Sequence, residues 1–187
     1  MARIAIIPGD GIGLEVTREA VRVLERSSIR HGFSLELTHW ELGADRFLAE
    51  GVTITDEEFD SLAEDHDAIL LGALGDPRVP GNEHARDILL GLRFRLDLYV
   101  NHRPAVLHDP GLSPLKEMED RKIELDIFRE NTEGLYVNLG GSFKVGTPDE
   151  VAIQEDLNTW KGVERIVRAA YEFARAHGRN RVTLVDK

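Results

Sequence analysis

Residues 2–13 read Ala2-Arg3-Ile4-Ala5-Ile6-Ile7-Pro8-Gly9-Asp10-Gly11-Ile12-Gly13, and the fold turns on how this stretch is read. Ala2 to Ile7 is a short, β-branched apolar run of the kind that makes a buried strand. Pro8-Gly9-Asp10-Gly11 stops it in a glycine loop. From Gly13 to about His31, Val16, Ala20, Val23 and Leu24 recur at helical spacing, with Arg18, Glu19, Arg22 and Arg26 on the other face. A strand, a glycine turn and a helix therefore open the chain. Working outward, Phe33 to Trp40 reads as a second strand and Asp56 to Glu64 as a short helix with acidic residues at its start. Ala68 to Leu71 is a further buried strand ending in Gly72. This alternation is the order of a parallel sheet covered by helices, an α/β fold.

Beyond it, Gly75 to Asn82 is a loop by its Gly and Pro content, and His84 to Leu96 reads as a helix. Leu98 to Val106 and Ile123 to Phe128 read as strands, and Asn138 to Thr147 as an excursion from the core. The last helix carries Val163, Ile166, Val167, Ala170, Tyr171 and Ala174 on one face, with Asn158 or Thr159 as its cap and Gly178 as its end. Arg181 to Val185 reads as the start of a strand. A buried-type strand at the very end, with no helix to cover it, leads us to expect an incomplete fold.

Composition narrows the function. Among 187 residues, 34 are Asp or Glu and 23 are Lys or Arg, a formal net charge of −11, and no basic run is present. A nucleic-acid partner needs clustered cations, so that class is disfavoured. No apolar run is long enough to span a membrane, and the first residues lack the layout of a signal peptide. Cysteine is absent, which removes disulfides, thiol nucleophiles and cysteine-bound zinc and suits a cytoplasmic protein.

Three features carry possible chemistry. The glycine loop lets backbone approach a phosphate or cofactor ring, yet its spacing is Gly-x-Gly-x-Gly and a tight turn explains it equally well. Arg93, Arg95, Arg103 and Arg129 offer planar guanidinium groups that hold carboxylates bidentately, although in so acidic a chain most arginines are solvated or loosely paired. Tyr136 and Lys187 could divide acid and base work; singly, each is an ordinary packed aromatic or solvated cation.

Together, and in order, Ile6 to Gly13, Leu89-Leu90-Gly91-Leu92-Arg93, Asn101-His102-Arg103-Pro104, Phe128 to Tyr136 and Val185-Asp186-Lys187 resemble the isopropylmalate, isocitrate, homoisocitrate and tartrate (D-malate) dehydrogenase family. The resemblance runs from Arg3 to Lys187 and matches the amino-terminal half of a family member. It implies a two-domain α/β fold with a parallel-sheet core, incomplete here. Residues 1–99 would form the first part of the larger domain. Residues 100–187 would form the first part of an inserted substrate and dimerisation domain, with an arm at about 136–155. It implies NAD- or NADP-dependent oxidative decarboxylation of a 2-hydroxy-dicarboxylic acid with Mg or Mn. Arg93, Arg103 and Arg129 would grip the carboxylates, with Leu89 and Leu90 beside the substrate's substituent. Tyr136 would protonate carbon after carbon dioxide leaves, and Lys187 would take the proton from the hydroxyl. Ile12 and Leu74 would lie on the cofactor side. The metal ligands would follow Lys187, so no metal residue is assigned in this chain, which by itself is expected to be inactive. The arm and the last helix would make a homodimer.

Leu89-Leu90 stand where isocitrate enzymes carry polar residues, and an extra carboxylate desolvated there costs several kcal/mol by order of magnitude. Two leucines beside a branched alkyl group gain roughly 1.5–3 kcal/mol, which favours 3-isopropylmalate, a leucine-biosynthesis substrate. Arg86, where isopropylmalate enzymes typically have glutamate, and the form of Arg129 to Gly134 keep tartrate or D-malate open. A non-catalytic chain that pairs with a full-length partner is the reading from another class.

Overall fold

β1 (Ala2–Gly9) is the middle strand of a parallel sheet, with β2 (Leu35–His39) on one side and β3 (Ala68–Ala73) on the other. A central strand has both faces covered, which is why an unbroken apolar run serves it better than alternation. Ala5, Ile6 and Ile7 are accordingly fully buried. The computed structural model that shows this describes every residue except Asp120, Asp186 and Lys187. It falls into two compact units, Met1–Leu96 and Asp97–Lys187.

In the first unit α1 (Ile12–His31) follows the glycine loop. Its buried line is Gly13 and Thr17, continued by half-buried Ala20 and Leu24, while Val16 and Val23 are exposed. The expected stripe is therefore displaced. A Cβ at Gly13 would collide with the Pro8 carbonyl and the Ala73 backbone, so the helix lies close enough to the sheet that size, not hydrophobicity, chooses the facing residues. α2 (Ala44–Glu50) lies outside the sequence reading, because seven residues hold too few turns to show a period. α3 (Asp56–Glu64) opens with a complete capping box, Thr55 and Glu58 each bonding the other's backbone amide. β3 continues through Gly72 to Ala73. α4 (Glu83–Arg95) buries His84, Ala85, Ile88 and Leu92. Ala5, Ile7, Leu42, Phe59, Leu62, Ile88 and Leu92 form the core.

The second unit is built on an antiparallel pair, β4 (Val100–Val106) and β5 (Glu124–Glu130), in which Asn101 faces Arg129 and Arg103 faces Ile127. α5 (Trp160–Ala176) packs on one side of it. There the Phe173 ring meets His102 and Phe128, with centroids 4.9 and 5.0 Å away. Thr159 caps α5, its hydroxyl accepting from the Gly162 amide at 3.0 Å. The glycine-rich excursion is a hairpin of β6 (Gly140–Phe143) and β7 (Val151–Gln154) with every residue exposed. The strand expected over Arg181–Val185 is not formed. A strand needs a neighbour for its ladder, none is paired there among the described residues, and Leu184 and Val185 lie exposed.

Candidate active site

The register pairs Gly9 of β1 with Ala73 of β3, so the loop after β1 and the segment after β3 leave the sheet side by side at its carboxyl end. In open α/β sheets ligands bind outside those strand ends. Gly9 (φ 74°) and Gly13 are demanded by packing, since a Cβ on Gly9 would strike the Ala73 carbonyl and one on Gly13 the Pro8 carbonyl. Gly11 has open space around it and immediately precedes α1. Two of the three glycines thus serve the tight turn, and the third leaves a backbone approach open. Ile12 is largely exposed on the first turn of α1. Leu74 rests against the core and beside Gly9. An apolar side chain next to open backbone suits the face of a nicotinamide ring, so these residues fit that group.

Asp10 sits inside this loop and is buried. Its Oδ1 accepts from the Ala44 amide at 2.6 Å, and its Oδ2 accepts from the Gly75 amide at 2.8 Å and lies 2.8 Å from His84 Nε2. Burial alone would raise its carboxyl; the hydrogen bonds from Ala44, Gly75 and His84 outweigh that and hold it below the usual carboxylate range. In the sequence Asp10 reads only as part of the glycine loop.

On α4, Arg86, Leu89, Leu90 and Arg93 share a stripe turned away from the buried His84, Ile88 and Leu92. Leu89 is exposed, while Leu90 and Arg93 are half-buried. Arg86 donates to its neighbour Asp87 at 3.4 Å.

In the second unit, Arg103 and Arg129 project from the same face of the β4–β5 pair, the one opposite α5, because Arg129 pairs with Asn101 and Arg103 is two residues on. Arg103 Nε donates to Asn101 Oδ1 at 2.9 Å. Asn101 donates to Asn131 Oδ1, and Asn131 to the Leu98 carbonyl, both at 3.1 Å. This chain of amides sets the plane of the Arg103 guanidinium. The Arg129 guanidinium lies over the Tyr136 ring, 4.7 Å from its centroid. Tyr136 belongs to a short 3-10 turn, Leu135–Val137, which β7 steadies through Gln154 Nε2 to the Leu135 carbonyl at 3.1 Å. The second unit therefore brings Arg103, Arg129 and Tyr136 together. Ile12, Leu74, Leu89, Leu90 and Arg93 belong to the first unit. Lys187 lies outside the described residues.

The stretch Arg129 to Gly134 also holds residues whose role was not foreseen. Glu130 accepts from the Thr132 and Glu133 amides, both at 2.7 Å, and from the Thr132 hydroxyl at 2.9 Å. It also accepts from Arg165 of α5 at 2.7 Å. Burial would raise its carboxyl, but these partners, Arg165 foremost, bring it below the ordinary range. Glu133 accepts from the Thr159 amide at 2.8 Å and the Thr159 hydroxyl at 2.5 Å, which fixes the start of α5. Among the described residues no three His, Asp or Glu side chains converge to hold a metal ion. No helix among them is long and apolar enough to cross a membrane.

A parallel sheet with an open carboxyl edge is followed in sequence by a strand pair that carries Arg103 and Arg129 on one face, with Tyr136 under Arg129. Residues 3–187 match the family model described as isocitrate/isopropylmalate dehydrogenase, and the chain belongs to this family. The chain is 49% identical to a 3-isopropylmalate dehydrogenase of Corynebacterium kroppenstedtii, covering 99% of this chain and 53% of that protein. It is 45% identical to one of Thermobifida fusca, covering 99% and 52%. Among solved structures it resembles an isocitrate dehydrogenase from Methylococcus capsulatus with TM-score 0.79 and 32% identity, over 96% of this chain and 49% of that one. The chain spans about half the length of the curated relatives it matches. Its fold is the α/β fold of these dehydrogenases, incomplete in this chain.

Proposed function

We propose that this chain supplies the substrate arginines and the nicotinamide-side loop for NAD-dependent oxidative decarboxylation of a 2-hydroxy-dicarboxylic acid, with 3-isopropylmalate as the substrate and a cytoplasmic setting. The observation that carries the proposal is the shared face of Arg103 and Arg129, one oriented by Asn101 and the other laid over Tyr136. Two guanidinium groups on one strand pair can grip a carboxylate each or clamp one between them. The family resemblance gives Arg93 of α4 the same role toward a carboxylate, and Leu89 and Leu90 a role toward the branched alkyl group. NAD, when bound beside Ile12 and Leu74, would supply the hydride acceptor for oxidation of the substrate's alpha carbon. In this scheme Lys187 Nζ takes the hydroxyl proton, and Tyr136 Oη returns a proton to carbon after carbon dioxide leaves. Mg or Mn is expected from the family. The described residues do not by themselves form its site.

The likeness of Arg129 to Gly134 to the tartrate and isocitrate branches loses weight as a guide to substrate. Two residues of that stretch, Glu130 and Glu133, bond Arg165 and Thr159 of the α5 region and so serve the fold. The 3-isopropylmalate dehydrogenase names of the relatives support the same substrate.

The partner we propose is a second copy. Along α5, Trp160, Val163, Val167 and Tyr171 line an open groove of about 630 Å³. Phe143, Val151 and Ile153 share one apolar, exposed face of the β6–β7 hairpin.

NAD reduction with Mn and a panel of 3-isopropylmalate, D-malate, tartrate and isocitrate tests the reading, together with the mass in solution by sedimentation. Turnover led by 3-isopropylmalate is expected in an assembly containing this chain. Turnover led by isocitrate would overturn the substrate assignment. Binding to a full-length family member with no turnover would make the chain a non-catalytic subunit.

A further inference from the structure

We infer that Asp10 and His84 are a positioning pair that locks the nicotinamide-side loop to the helix carrying Leu89, Leu90 and Arg93. The inference rests on the cofactor and substrate assignments made above. His84 is completely buried and Asp10 is 7% exposed. One carboxylate joins four segments: the loop after β1 that contains it, the first residue of α2 through Ala44, the segment after β3 through Gly75, and the first turn of α4 through His84. The Asp10 amide adds a fourth bond, to the Ala73 carbonyl at 2.6 Å. Asp10 precedes Ile12 by two residues, and His84 starts the rigid helix that ends in the substrate stripe.

The imidazole is an odd choice for mere filling. Its Nδ1 is buried without a hydrogen-bond partner, a state that disfavours histidine over leucine of similar bulk. It is compensated only at Nε2, which gives the Asp10 carboxylate its third donor. That places the ring proton on Nε2, and the ring stacks on Phe47 at 6.0 Å with an angle of 24°. Neither residue is assigned a contact with the substrate or cofactor. They act through Ile12 on one side and the α4 stripe on the other, so a change in their bond moves the two ligand-facing surfaces relative to each other.

The test compares H84L, which keeps the bulk and deletes the donor, with H84Q, whose Nε2 falls where the imidazole Nε2 lies. Where H84L does not fold, H84N takes its place, because its amide falls short of Asp10. Two readouts are taken: amide hydrogen exchange on the purified protein, and NAD reduction in the assembly competent for turnover. H84L is expected to speed exchange selectively at Ala44, Gly75 and residues 9–13, and H84Q to restore it. In the active assembly H84L should lower kcat/KM about tenfold, the scale of one hydrogen bond to a charged acceptor, with H84Q within about threefold of wild type. Unchanged or uniformly faster exchange overturns the pairing, and so does unaltered kcat/KM in a variant that has merely lost stability. Should the wild-type assembly reduce no NAD, the proposed function fails, and the exchange pattern alone decides whether the lock exists.

Discussion

Replacing Glu130 by glutamine should loosen the second unit by an amount its hydrogen bonds allow to be worked out. The carboxylate serves four donors. Oε1 takes the Thr132 hydroxyl and Arg165, and Oε2 takes the Thr132 and Glu133 amides. A glutamine has one oxygen, so it keeps two of these and turns an NH2 group on the other two. Arg165 retains Asp97 at 2.8 Å, but that partner is 58% exposed where Glu130 is 17%, so the better-shielded half of the pair is lost. Hydrogen bonds to charged groups contribute about 1.5–3 kcal/mol each. With Asp97 retained, the total loss should be about 2–4 kcal/mol at neutral pH. The pH dependence has a definite sign. Glu130 has a lowered carboxyl in the folded state, so its contribution is fully present above the unfolded glutamate value of roughly 4.3 and fades as pH falls through the folded value. The gap between wild type and E130Q should therefore be widest near pH 7 and close in acid. Urea denaturation followed by circular dichroism at pH 7 and in acid measures both. A gap under about 0.5 kcal/mol at pH 7, the scale of ordinary surface substitutions, would refute the view that Glu130 ties β5 to α5.

Thr159→Ala removes the α5 cap and a donor to Glu133, and should cost about 1–2 kcal/mol by the same denaturation assay. Gly13→Ala puts a Cβ into the Pro8 carbonyl and the Ala73 backbone. With no flexible side chain there to yield, it should cost about 3 kcal/mol or more, visible as early thermal unfolding of the first unit through Trp40 fluorescence. Arg103→Met should weaken 3-isopropylmalate binding roughly 100-fold by calorimetry while leaving the melting temperature close to wild type, with Arg103→Lys recovering only part. Equal affinity in R103M would remove Arg103 from the site.

The strand-turn-helix opening was legible because a central parallel strand leaves a run of apolar residues that nothing else explains as simply. Where the reading slipped, hydrophobicity was the wrong variable. Val16 and Val23 marked the expected face of α1, yet the helix is set by how closely Gly13 and Thr17 let it approach β3, and closeness of approach has no periodic signature. α2 starts where the Ala44 amide meets the Asp10 carboxylate, a partner 34 positions away in sequence. Arg181 to Val185 had strand composition without a strand, since pairing is a property of two segments and composition of one.

The candidate site shows the same division at the scale of single residues. Arg93, Arg103, Arg129 and Tyr136 could be named because their types and order resemble a family. Asp10, His84, Glu130 and Glu133 could not, because a polar residue looks the same in sequence whether it faces solvent or a buried partner. Along β5 the period-two alternation of a strand separates two functions within one motif. Arg129 and Asn131 stand on the face with Asn101 and Arg103, while Phe128 and Glu130 stand on the face covered by α5. Change at position 129 should therefore be read in substrate affinity, and change at position 130 in the attachment of α5. Treating Arg129 to Gly134 as one specificity signature merges these two readings. The distinction bears on substrate, since Glu130 and Glu133 within that motif bond the α5 region. The leucine pair on α4 then remains the sequence feature that speaks most directly to the substrate's substituent.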